Sequence, residues 1–376
     1  MKYLSSLQNK NLSGKTCLLR VDLNLEENEI RGRGHLRIAA ILPTLDFLLK
    51  NKARIVLLSH RGRPKGFDKK QSLKFFTKIF SEKLNRKVNF IDNFNFAEIR
   101  KKIKNSSPAS VFLLENLRFL KGEEKNSLRL ARQLASLGDI YINDDFAVSH
   151  RKDASVAAIT KFLPAYAGFL LEKEIKNLNK AMKNPKKPLV VILGGAKVSD
   201  KIGLIKSFMK KADYFLIGGG IASTFLAAQG LPVGDSFYDK SANSPDKIFS
   251  KSLGGQARKK IILPVDAIIY KRQILDIGPE TVKKYAGIVQ KAGTIIWNGP
   301  MGYIEDKRFA NGSKEIVKAI IKSKSHSVIG GGETIASLKI KNQKSKIKNN
   351  VFLSTGGGAM LEYLAGKKLP GIEALK

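Results

Sequence analysis

Cysteine is all but absent from this sequence: Cys17 stands alone among 376 residues. A lone thiol excludes a disulfide within the chain and a thiolate-rich metal centre, and it suits a reducing compartment. Long apolar runs are scarce as well. The opening "MKYLSSLQNKNLSGK" has no apolar stretch of the kind a secretory leader needs, and the uncharged run from Tyr214 to Gly234 is broken by Gly218, Gly219, Gly220, Gln229 and Pro232. That run reads as strand, glycine turn and helix, so we expect a cytoplasmic chain with no membrane partner. Acidic residues are few, 32 against 68 Lys+Arg, which leaves a formal charge of +36. A Walker loop is missing too. In "LGGAKVSDKIG", Leu193 to Gly203, the glycines come first and Lys197 follows Gly195 by two positions, which does not match G-x-x-x-x-G-K-[ST].

What is present is the profile of a globular chain, 43% hydrophobic and 27% charged, long enough for two domains with a core each. The basic excess draws anions from a distance, which fits nucleic acid and phosphorylated metabolites alike. The lysines are spread through the chain, and the densest run, "LKIKNQKSKIKNN" around Lys344, has no interleaved aromatics. Neither zinc-type Cys/His pairs nor a basic helix leading into heptads accompanies the charge. We therefore expect no specific nucleic-acid partner, with a basic polyanion-binding α/β module as the rival reading.

Apolar runs alternate with amphipathic ones: "TCLLRVDLN", "RIAAILPTLDFLLKN", "ARIVLLSH", "SLKFFTKIFSEKLN", and on through "SVFLLENL" to "DIYINDDF". Continuous apolar runs separated by helical periodicity predict parallel strands buried on both faces. The alternation restarts after a helical stretch, 170–184, that ends at Pro185 and Pro188, and continues through "LVVILGG", "DYFLIGGG", "KIILPVDAII", "TIIWNGP", "HSVIGGG" and "NVFLSTGGG". The expected fold is α/β, with two doubly wound, Rossmann-like parallel-sheet domains joined by a connector helix and hinge.

Ligands gather at the carboxyl edge of such sheets. Strand ends of the first half carry Asp22, Asn24, His60, Arg63, Arg118 and Arg151, with Arg37 nearby in sequence. Each arginine by itself reads as an ordinary surface residue, but together with the histidine they suit a small polyanion. Strand ends of the second half carry glycine clusters, whose turns bring phosphate close to backbone N–H groups. Lys197 and Lys201, spaced i, i+4, are expected on one face of the helix after the first glycine turn. "GGGIAS" approaches the dinucleotide pattern, which keeps a dehydrogenase in play, but it ends in Ser223 and the acidic ribose partner is not well placed, so the signal is weak.

At these residues the chain resembles the phosphoglycerate kinase family over nearly its full length. The segments that carry the resemblance include "RIAAILPTLDFLLKNKARIVLLSHRGRPKG", "LLENLRF", "LGGAKVSDKIG", "IGGGIASTFL", "DIGP", "WNGPMG" and "LSTGGGAMLEYLAGKKLPG". The resemblance implies a glycolytic enzyme that moves a phosphoryl group between 1,3-bisphosphoglycerate and ADP, giving 3-phosphoglycerate and ATP, with Mg2+, as a cytoplasmic monomer. It implies an N-terminal substrate domain at 1–169, to which the C-terminal segment 362–376 returns. The interdomain helix 170–184 and a nucleotide domain at 185–361 follow. Asp22, Asn24, Arg37, His60, Arg63, Arg118 and Arg151 then bind the glycerate. Lys197, Lys201, Glu305, Gly331, Gly332, Glu333 and Thr334 serve the nucleotide, with Glu333 toward the metal.

A carboxylate acceptor is already ionised at neutral pH, so the chemistry needs alignment and charge neutralisation rather than a general base. Arg37 and Lys201 are the expected clamp on the group in flight. The chain departs from the family in places. Glu333 stands where the family has Asp, "NDDFAVSHRKDAS" adds Asp145 and Asp153 near Arg151, "RVDLNLEENE" lacks the usual proline, and the stretch from Pro264 to Asp276 is short.

Overall fold

A computed structural model describes residues 1–8, 12–26, 34–240, 259–337 and 350–376. The lysine-dense run around Lys344 lies outside them, apart from its last residue. The described chain divides into two compact units, Met1–Ile175 with Lys368–Lys376, and Lys176–Lys367. The helix Phe169–Lys183 carries the chain from the first unit into the second.

The first unit is built on six parallel strands: β1 (Thr16–Arg20), β2 (Arg54–Leu58), β3 (Val88–Ile91), β4 (Val111–Leu114), β5 (Ile140–Asn143) and β6 (Ala165–Ala167), in the order β3-β4-β2-β1-β5-β6. The central strands are apolar through their middles, as expected of a sheet covered on both faces, and all five residues of β1 are buried. Covering helices present an apolar stripe, and two of them start at a polar cap, Asn95 and Ser127. The helix Leu128–Ala135 buries Leu130, Ala131 and Leu134, and its first turn donates the Leu130 N–H to the Ser127 hydroxyl at 3.4 Å. Leu19, Ile41, Leu45, Ile55, Leu57, Phe76 and Phe80 form part of one core.

The second unit repeats the plan with β7 (Leu189–Leu193), β8 (Tyr214–Ile217), β9 (Ile261–Ile262), β12 (Thr294–Asn298), β13 (His326–Gly330) and β14 (Val351–Ser354), in the order β14-β13-β12-β7-β8-β9, again all parallel. Trp297, Ile295, Val190, Ile192 and Tyr285 lie in its core.

One expectation needs correction. "KIILPVDAII" does not form a single parallel strand. Ile261–Ile262 joins the sheet, whereas Ala267–Tyr270 (β10) turns away after Pro264 and pairs antiparallel with Gln273–Ile277 (β11). Lys271 and Arg272, both at positive φ (46° and 61°), make the tight turn between them. Neither residue advertises such a turn, since positive φ is ordinarily the province of Gly, Asn and Asp. The fold class stands: two parallel-sheet α/β units, each with a point where strand order reverses, between β1 and β5 in one and between β7 and β12 in the other.

Candidate functional site

In the first unit, residues named from strand ends meet along one sheet edge because β4, β2, β1 and β5 are adjacent and run the same way. Asp22 follows β1, and its Oδ2 lies 3.1 Å from Arg37 Nη1, which also donates to the Asn24 carbonyl at 3.1 Å. The Asn24 side chain accepts the Gly62 N–H at 2.8 Å, and Arg118 donates to the Gly62 carbonyl at 2.8 Å. These bonds tie the loops after β1, β2 and β4 together. His60 and Arg118 are buried at the same edge; His60 Nε2 and Arg118 Nε have no hydrogen-bond partner among the described residues, while Arg118 Nη2 lies 3.3 Å from Glu124 Oε1.

Burial pulls the His60 pKa well below its ordinary value, and the positive charges of Arg20, Arg118, Arg151 and Arg37 push the same way. Burial lowers Arg118 too, with Arg151 as the next cause. A cluster that lowers its own members' affinity for protons favours an anion among them. Arg151 is half-buried, while Arg63 is exposed on the loop after β2. Asp153 Oδ2 lies 3.8 Å from Arg118 Nη2.

Three buried residues of this edge carried no weight in the sequence. Arg20, at the end of β1, is fully buried and donates to Asp145 Oδ2 at 2.8 Å, the Val21 carbonyl at 2.6 Å and Ser155 Oγ at 3.1 Å. Ser155 in turn donates to Glu123. The signal was a guanidinium closing an otherwise apolar run, "TCLLR", where a strand buried on both faces has to supply its partners.

In the second unit the lysine expectation is corrected. The helix after the first glycine turn starts only at Ile202, so Lys197 and Lys201 do not project from a common helical face. A turn intervenes in which Lys201 and Ile202 donate their N–H groups to the Val198 carbonyl, at 2.9 and 3.1 Å. Lys197 is exposed, whereas Lys201 is buried. Burial lowers the Lys201 pKa, opposed by the charges of Asp200 and Glu333. A cavity of about 500 Å³ is lined by Lys201, Ser199, Asn298, Gly331, Gly357 and Gly358 among others. A second, of about 640 Å³, is lined by Gly195, Gly219, Gly220, Tyr270, Glu305, Phe309 and Glu333 among others.

The glycine turns divide into two kinds. Gly194 and Gly195 donate to the carbonyls of Asn298 and Pro300, Gly219 to Met301, and Gly299 to Thr334 Oγ1 at 2.7 Å. These donors are spent inside the protein and lock the ends of β7, β8, β12 and β13 to one another. Thr334 is fully buried in that task, and neither it nor Gly332 lines either cavity. The backbone facing the smaller cavity comes instead from Gly331, Gly357 and Gly358.

Two parallel sheets, one edged with arginine and histidine and the other with glycine turns around cavities, define an α/β phosphotransferase outside the Walker-loop class. The sequence matches the phosphoglycerate kinase family over residues 7–367. The phosphoglycerate kinase of Pseudothermotoga lettingae is 42% identical, with 100% of this chain and 99% of that protein covered. The enzyme of the same name from Moorella thermoacetica is 40% identical over 98% of each. Among solved structures, phosphoglycerate kinase from Coxiella burnetii superposes with a TM-score of 0.81 at 36% identity, covering 98% of both chains. That from Pyrococcus horikoshii gives 0.83 at 33% identity, covering 100% of this chain and 98% of its own. The chain belongs to the phosphoglycerate kinase family and is a kinase of glycolysis.

Proposed function

We propose that the first unit's arginine edge binds 3-phosphoglycerate and 1,3-bisphosphoglycerate, and that the second unit's cavities bind ADP and ATP. The observation that carries the substrate assignment is the pair of buried donors without acceptors, His60 Nε2 and Arg118 Nε. Buried charged donors are costly unless an acceptor arrives, and a phosphorylated carboxylate supplies several oxygens at once. Asp22, Asn24, Arg37, Arg63 and Arg151 complete the substrate set. On the nucleotide side, Glu305 and Glu333 line the larger cavity and Lys201 and Gly331 the smaller. Lys197, Gly332 and Thr334 act there through the turns that shape them.

No proton needs to leave the attacking carboxylate, so these residues align the reactants and neutralise charge. We assign Arg37 and Lys201 to the equatorial oxygens of the group in flight, in an in-line transfer that requires the two units to close and exclude water. A magnesium site suits the donors present. Magnesium keeps several waters and takes one or two carboxylates plus phosphate oxygens, and Glu333 offers one hard carboxylate on the cavity wall. Among the described residues no cluster of three or more His, Cys, Asp or Glu could cage a metal unaided. When bound, magnesium would neutralise charge on the nucleotide phosphates. The reading has the chain working as a cytoplasmic monomer without a specific nucleic-acid partner. No described helix is long and apolar enough to cross a membrane.

Calorimetric titration tests the division of labour. Arg118→Ala is expected to weaken 3-phosphoglycerate binding by at least about tenfold while leaving ATP binding intact, and Lys201→Ala to do the reverse. An Arg118→Ala variant that binds 3-phosphoglycerate normally would overturn the substrate assignment.

A further inference from the structure

His60 has one ring nitrogen engaged and one free. Arg20 Nη2 lies 2.8 Å from Nδ1, while the buried Nε2 has no partner among the described residues. A guanidinium has only donors to offer, so Nδ1 must be the acceptor and cannot carry a proton. The imidazole is thereby confined to the neutral form protonated at Nε2, and its single N–H is left for a ligand. The charges of Arg20, Arg118, Arg151 and Arg37 and the burial of the ring all favour the same neutral state.

What holds Arg20 in place is a feature of strand register. Arg20 pairs with Leu58 on β2 and with Asn143 on β5. His60 and Asp145 lie two residues beyond those partners, just past the ends of β2 and β5, and each meets one of the two terminal nitrogens of Arg20. Asp145 is fully buried and both its oxygens are committed, Oδ2 to Arg20 Nη1 at 2.8 Å and Oδ1 to the Val148 N–H at 3.2 Å. No single-acceptor side chain of that size can do both.

We propose that Asp145 is a positioning residue for substrate binding: through Arg20 it fixes His60 as the Nε2–H tautomer and so presents one aimed donor to the oxyanion of the glycerate substrate. The proposal rests on the assignment of this edge to 3-phosphoglycerate. Asp145 does not touch the substrate. Its effect runs through the guanidinium, and it belongs to binding rather than to the transfer step.

The tautomer is read first on the unmodified protein, by long-range 1H–15N correlation of the histidine rings, with His60→Gln used to assign the signals; the chain has only four histidines. The expected pattern is a single Nε2–H tautomer at neutral pH whose shifts move on adding 3-phosphoglycerate. An Nδ1–H pattern would overturn the proposal, and signals that ignore 3-phosphoglycerate would overturn the assignment of the edge itself. Asp145→Asn leaves one acceptor where two are needed. It is expected to give ring signals of mixed neutral tautomers and a KM for 3-phosphoglycerate raised about tenfold, with kcat and the KM for ATP little changed. Asp145→Asn with the wild-type tautomer and KM would refute the positioning role. Arg20→Met, which removes the donors to both Asp145 and Nδ1, is expected to show the same split and tests the relay independently.

Discussion

Asp144 is a fully buried carboxylate held by hydrogen bonds rather than by a cation. It accepts the Leu171 N–H at 3.1 Å, at the start of the Phe169–Lys183 helix. Burial pushes its pKa up to about 7, with the Thr44 hydroxyl and the Leu171 and Leu170 N–H groups pulling it down. Burial likewise raises Asp276 to about 6. The sign follows from linkage. Unfolded aspartate loses its proton near pH 4, so between about pH 4 and 7 the folded chain holds protons that the unfolded chain has released. Stability should therefore fall as pH rises through that window and level off above it, by up to about 1.4 kcal/mol per pH unit for each group. Asp144→Asn, whose amide oxygen still caps the helix, should flatten the slope in urea denaturation from pH 4.5 to 8. An unchanged slope would assign the pH dependence elsewhere.

Among the elements, the paired glycine turns at the ends of β7 and β12 do most to shape the nucleotide side. Gly299 has φ +91°, and a Cβ there would meet the Gly194 carbonyl. Its N–H ends on Thr334 Oγ1. Thr334→Val keeps the shape but removes the acceptor, stranding a buried N–H at a cost of about 1–3 kcal/mol. We expect a lower urea midpoint and a raised KM for ATP with 3-phosphoglycerate binding unchanged; full stability would show that the turns are not locked through this bond.

This scale also explains what the sequence could disclose. Buried parallel strands were legible because β7 is apolar from end to end and β1 and β12 are apolar through their middles, and polar strand ends were legible because the apolar run breaks there. Arg20 was not, because its partners Asp145, Ser155 and His60 come from distant parts of the chain and meet it only through sheet order. The Lys197–Lys201 spacing misled because a local turn at Val198 delays the helix. The role of each glycine turn was hidden because a donor spent on Pro300 and one left for phosphate look the same in one dimension.

For the molecule as a whole, the dominant quantity is charge. A formal +36 creates a field that gathers small anions before any specific contact forms and that salt screens within about 8 Å at physiological strength. Raising salt from 20 to about 300 mM should increase the KM for both anionic substrates several-fold with kcat nearly constant. A KM indifferent to salt would show that the excess charge plays no part in substrate capture.

The central claim is that transfer depends on Arg37 from one unit and Lys201 from the other acting on the same phosphoryl group. The direct measurement is coupled-assay turnover at saturating substrates for Arg37→Ala, Lys201→Ala and the double variant, each with folded-state circular dichroism retained. We predict a loss in kcat of about 10²–10³ for each single variant and little further loss in the double, as expected of groups that act as a unit. Wild-type turnover in either single variant would contradict the account.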